Sequence, residues 1–144
     1  MAIKGIWINL PVKDVAKSKE FYTAIGFVLN TAHGNSTDSA CFLIGEKNMV
    51  VMLFQEDVFK GFTKNNITDT SQSSEVLISF DADNIEDIDA MANSVEAAGG
   101  KIFSKPEEIQ GWMYGFGFAD IDRHRWNMLH MDMSKIPKPV ADTK

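Results

Sequence analysis

The side chains of this 144-residue chain that first suggest chemistry are its three histidines, one cysteine, its carboxylates and its aromatic rings. His33 sits in a polar stretch, His124 beside an Asp-rich turn and His130 in an apolar run. No Ser/His/Asp or Cys/His constellation for nucleophilic catalysis assembles from them. Cys41 stands in the apolar run Ala40-Cys41-Phe42-Leu43-Ile44, which suits a small buried hydrophobe better than a nucleophile. A lone cysteine also gives neither a disulfide framework nor a thiolate cluster. No glycine-rich phosphate loop follows a strand. Stacking and hydrogen bonding remain: Trp7 shares a strand face with Asn9, and Trp112, Tyr114, Phe116 and Phe118 share one parity.

The net charge is −6, and no run of Lys or Arg breaks the acidic balance, so nucleic acid is not an expected partner. An acidic surface of this size chiefly keeps a protein soluble. No apolar run reaches the ~18 residues that cross a bilayer, and the first residues lack a secretion signal. A cytoplasmic location is expected.

The elements that must position these groups come in a repeated order. Ile6, Ile8, Leu10 and Val12 alternate with Trp7, Asn9 and Pro11, as in a strand with one apolar face. Asp14 is placed to cap a helix whose Ser18, Phe21, Tyr22 and Ile25 form a stripe, with Gly26 as its left-handed stop. Strands are expected at about 27–32, 39–44 and 48–54. The second half repeats this with Val76, Ile78 and Phe80 in a strand, and Asn84 capping a helix striped by Ile85, Ile88, Met91, Ala92 and Val95. Gly99-Gly100 ends that helix, and strands are expected at about 101–104, 112–119 and 124–131. The fold class is therefore α+β: two tandem βαβββ modules in a single domain, over about 3–55 and 75–133, forming a curved mixed sheet round a cavity with helices outside. Residues 56–74 are expected to be a surface linker and 137–144 a frayed tail.

Several motifs carry a family resemblance. Leu10-Pro11-Val12-Lys13-Asp14, followed by Ser18, Phe21-Tyr22 and Gly26-Phe27, resembles the L-x-V-x-D-x-x-x-S-x-x-F-Y…G-F opening of the vicinal-oxygen-chelate superfamily. That superfamily includes glyoxalase I, bleomycin-resistance proteins and extradiol dioxygenases. Phe118-Ala119-Asp120-Ile121-Asp122-Arg123-His124-Arg125-Trp126-Asn127 resembles its closing F-x-D-P-D-G-H-x-W-E, and Ala97-Ala98-Gly99-Gly100 the end of its second helix. Trp112-Met113-Tyr114-Gly115 is similar to a subgroup described as predicted lactoylglutathione lyases. The resemblance spans about residues 3–133.

In metal-binding members, the resemblance implies one ligand from each of four strands, and here those positions hold Trp7, Met52, Glu75 and Asn127. An indole offers a donor and no lone pair, and an amide brings no charge and no general base. One carboxylate falls short of the roughly three protein ligands of a catalytic metal site, so neither a metal nor another cofactor is expected. Trp7 is then either an aromatic floor for a ligand or a plug where a metal would sit. Glu75 is either a pocket carboxylate or a solvated charge at a strand start. Asn127 is either a ligand hydrogen-bonder or a satisfied buried amide. Met52 and Phe54 are lining or plain core, while Trp112 and Tyr114 line a pocket mouth or belong to core or a subunit contact.

The leading expectation is a metal-free small-molecule binder with a pocket of Trp7, Asn9, Met52, Phe54, Glu75, Trp112, Tyr114 and Asn127. The resemblance further implies a homodimer. The alternatives are a metal-dependent lyase, isomerase or dioxygenase with an altered ligand set, and a structural module that binds nothing.

Overall fold

Asp14 and Asn84 start the two module helices in the same way. Each adopts an extended backbone and accepts through its side chain from the amide three residues on, at Lys17 and Asp87. The computed structural model describes residues 1–139, so part of the tail expected to fray lies outside the described residues. Module one runs β1 (Ile8–Val12), α1 (Val15–Ala24), β2 (Val28–Leu29), β3 (Ser39–Ile44) and β4 (Met49–Gln55), followed by α2 (Glu56–Thr63). Module two runs β5 (Leu77–Asp81), α3 (Ile85–Ala97), β6 (Lys101–Ile109), β7 (Met113–Ala119) and β8 (Arg125–Met131), with a short 3₁₀ turn over Met133–Lys135.

The architecture is the expected α+β one, with two tandem βαβββ modules. Each module makes its own four-stranded mixed sheet, ordered β1-β4-β3-β2 and β5-β8-β7-β6. No ladder joins the two sheets, so the eight strands do not close round one cavity. Both sheets instead turn one face to a shared core, in which Val12, Phe42 and Leu53 of module one join Ile88, Val95, Phe118 and Trp126 of module two. Rings knit the seam: Tyr22 meets Trp126 with centroids 5.7 Å apart, and Phe27 meets Phe80 edge-on at 5.6 Å. Gly100 belongs here because a Cβ would stand 3.0 Å from the Phe21 ring and 2.7 Å from Val95.

The turn between β7 and β8 fastens the modules. Asp120 is 4% exposed, and its Oδ1 accepts from the amides of Asp122 and His124, both at 2.9 Å. Its Oδ2 accepts from the Tyr22 hydroxyl of module one and from Trp126 Nε1. Asp122 reaches across as well, accepting from the Lys13 amide at 2.9 Å and the buried Ser18 hydroxyl at 2.7 Å. His124 donates from Nε2 to the Pro11 carbonyl at 2.6 Å. Arg123 completes the turn with φ +66°, a left-handed conformation that costs a non-glycine residue roughly 1–2 kcal/mol. The family motif has glycine there.

Four boundaries differ from the sequence reading. The 56–74 stretch is not all linker: Gln55 caps α2, accepting from the Asp57 amide at 2.8 Å, and Glu56 and Asp57 favour its N-terminus. Strand β6 runs on to Ile109 past Pro106, because it is an edge strand with register shifts on both sides of Ser104. Strand β2 has only two residues. Strand β1 starts at Ile8, leaving Trp7 just outside it.

Removing the hydroxyl in Tyr22→Phe leaves the buried Asp120 Oδ2 with Trp126 alone. Urea unfolding should show a loss of about 1–3 kcal/mol, the penalty for depriving a buried acceptor of its donor. An unchanged midpoint would mean that the carboxylate does not hold the seam.

Candidate functional site

The β1–β4 register decides which side chains of module one share a face. Asn9 pairs with Met52 and Pro11 with Phe54, on the side opposite the buried Leu10, Val12, Val51 and Leu53. Trp7 precedes this face at 59% exposure, so it plugs nothing within the chain. Phe54 packs edge-on against Phe62 of α2 with centroids 5.0 Å apart. Cys41 pairs with Met52 and is buried under the Gly34 loop, where a Cβ on Gly34 would stand 2.7 Å from the Cys41 Cβ. The cysteine is packed as a small hydrophobe.

Two of the three polar candidates, one from each module, meet at one place, and Asn127 is not among the residues lining it. Asn9 and Glu75 both line a cavity of about 280 Å³ at the seam, together with Phe59 of α2, His124 and Arg125. Linker residues such as Asn65, Asn66 and Thr70 supply its polar wall. Asn127 pairs in register with Ser79 on the sheet face away from Trp126 and Met128. Its side-chain oxygen is buried without a hydrogen-bond partner, which leaves the reading of a satisfied amide without its hydrogen bond. Arg125 stacks on the Phe103 ring at 4.3 Å, and its Nε is likewise buried and unpartnered.

Trp112 and Tyr114 do not join this group. Trp112 lies in the turn before β7, where its carbonyl accepts from the Asp132 amide at 2.8 Å. Tyr114 points to the helix side of its sheet, in parity with the buried Phe116 and Phe118, and donates to Asp89 of α3 at 2.8 Å. His130 donates from Nδ1 to the Ala82 carbonyl at 3.0 Å, away from the cavity. The sequence reading missed Phe59, because α2 was read as linker; Val58, Phe59 and Phe62 in an i, i+1, i+4 pattern carried its signal. It missed Arg125 because single basic residues far apart in the chain make no visible cluster.

The donors offered at the family's four metal positions do not make a metal set. They are an indole, a thioether, one carboxylate and one amide, and Trp7 and Glu75 are exposed while Asn127 Oδ1 is buried. Among the described residues, no three His, Cys, Asp or Glu side chains cluster where they could hold a metal ion.

The comparisons with known proteins fit this geometry. The family model for the glyoxalase/bleomycin resistance protein/dioxygenase superfamily matches residues 6–128. The chain belongs to that superfamily. A hypothetical protein from S. aureus is similar at 32% identity with a TM-score of 0.79, covering 90% of this chain and 95% of its own. A glyoxalase-related enzyme from Fulvimarina pelagi shares the fold at 15% identity and a TM-score of 0.76, over 89% of this chain and 88% of its own. The genomically encoded fosfomycin resistance protein from Listeria monocytogenes does so at 20% identity and 0.66, over 93% and 98%. No curated protein matches. Among the described residues, no helix is long and apolar enough to cross a membrane.

The superfamily's closing turn also sets a pH response. Burial raises the Asp120 pKa against the opposing pull of His124 and of its hydrogen bonds, while burial and Asp120 together push the Tyr22 hydroxyl well above its ordinary value. A carboxyl that binds its proton more tightly when folded contributes stability below its unfolded pKa of about 3.9 and loses it as pH rises through the folded value. The stability difference between wild type and Asp120→Asn should therefore narrow as pH rises from 4 to 7, measured by urea midpoints. A difference independent of pH would refute the assigned direction.

Proposed function

We propose that this glyoxalase/bleomycin resistance-like chain is a metal-free, cytoplasmic binding protein for a small molecule. The observation that carries the reading is the meeting of Asn9 and Glu75, from different modules, on one cavity with an aromatic wall at Phe59. A cavity of about 280 Å³ suits a small organic molecule. Phe59 and the apolar Leu10, Pro11 and Ile78 supply contact area, while Asn9, Glu75 and the linker amides orient polar groups. The face of Trp7, Met52 and Phe54 continues from Asn9 and extends the apolar surface. Lyase or dioxygenase chemistry of the metal-dependent kind needs ligands that Trp7, Met52 and Asn127 do not supply.

The same reading includes a homodimer. Ile6, Trp7, Val76 and Leu77 are large apolar side chains left exposed near the cavity residues Asn9 and Glu75, and a second copy would cover them.

Two measurements test the proposal. Protein purified without a chelator or affinity tag should carry far less than one divalent ion per chain by elemental analysis. A stoichiometric ion surviving dialysis would return the metal-dependent reading to the front. In a thermal-shift screen of small aromatic and amide-bearing molecules, at least one should stabilise the wild type. A ligand at 100 times its Kd adds about 2.7 kcal/mol. Phe59→Ala should lose that response, and no response from any compound would overturn the proposal.

A further inference from the structure

In a chain of net charge −6, three cations converge on one cleft. Lys101 at the start of β6, Arg123 in the β7–β8 turn and Arg125 at the start of β8 all line a cavity of about 530 Å³, with Phe103, Thr70 and Ser71. Among the described residues the single ion pair is Lys135 with Asp132, so none of the three cations has a carboxylate within 4.0 Å. The cleft's one carboxylate, Asp120, is buried with both oxygens already accepting hydrogen bonds. Asp69, the acid that feels Arg123 from outside the cleft, is fully exposed and bonded to Ser71.

Two of the three cations are also held in place. Stacking on Phe103 at 4.3 Å fixes the plane of the Arg125 guanidinium, and its buried Nε lacks an acceptor. Arg123 holds a strained left-handed backbone where glycine would sit without cost, and that strain places a guanidinium at the cleft. Thr70 Oγ1 donates to the Asp122 carbonyl at 2.7 Å and ties the linker down as one wall.

We propose that this cleft binds the phosphate group of a small molecule through Lys101, Arg123 and Arg125. Three positive charges, two of them on forked guanidinium donors, match a dianionic, multi-oxygen group better than a singly charged carboxylate. The cleft shares Thr70, Arg123 and Arg125 with the cavity proposed above, but it holds neither Asn9 nor Glu75 and adds Lys101, which that cavity lacks.

The probe is inorganic phosphate, titrated at constant ionic strength against chloride and followed through the arginine Nε–H resonances and the melting temperature. Phosphate should saturate a single site, shift the Arg125 Nε–H and raise Tm, with acetate binding more weakly. Arg125→Gln should weaken binding about tenfold or more, as for loss of a charge-assisted contact. Arg123→Gly should weaken it too, while relaxing the turn and so keeping the fold. A non-saturating response matching that of chloride, acetate binding as tight as phosphate, or wild-type affinity in Arg123→Gly would each overturn the proposal.

Discussion

The Asp120 carboxylate lies out of water at the centre of the seam and accepts four hydrogen bonds, from two turn amides, a module-one tyrosine and a module-two tryptophan. Burying a carboxylate without partners costs several kcal/mol, so the seam is most stable when all four donors arrive together. That requirement fixes the depth of α1 through Tyr22 and the start of β8 through Trp126. Once both are set, the rings of Phe27, Phe80 and Phe118 have no other place to pack. The cavity walls at Asn9 and Glu75 then follow, because their strands are held in fixed positions by the same turn.

Most of this framework was legible in the amino-acid sequence. Asp14, Gly26, Asn84 and Gly99 mark their helices with capping chemistry that depends on a few neighbours. Strand parity placed Phe116 and Phe118 together, and the structure buries both. The less legible parts depend on distant residues. Pro106 argues against a strand until it is known that β6 lies at an edge. The short helix α2 is held down by Phe62 meeting Phe54, a contact invisible before the fold exists.

Candidate site residues divide along the same line. Asn9, Met52 and Phe54 share a face because register alone sets it. The sequence leaves Tyr114 between a pocket mouth, core and a subunit contact; its parity with Phe116 turns it toward the helix, where Asp89 accepts its hydrogen bond. The clustering of Lys101, Arg123 and Arg125 was hidden because two strands and a turn bring together positions that composition scatters.

Pro106 has a consequence for how such a molecule meets its neighbours. Strand β6 lacks an amide donor at that residue, and its register slips on either side of Ser104. An incoming strand would find neither a straight template nor a full row of donors there. Addition of a further strand at this rim is therefore disfavoured.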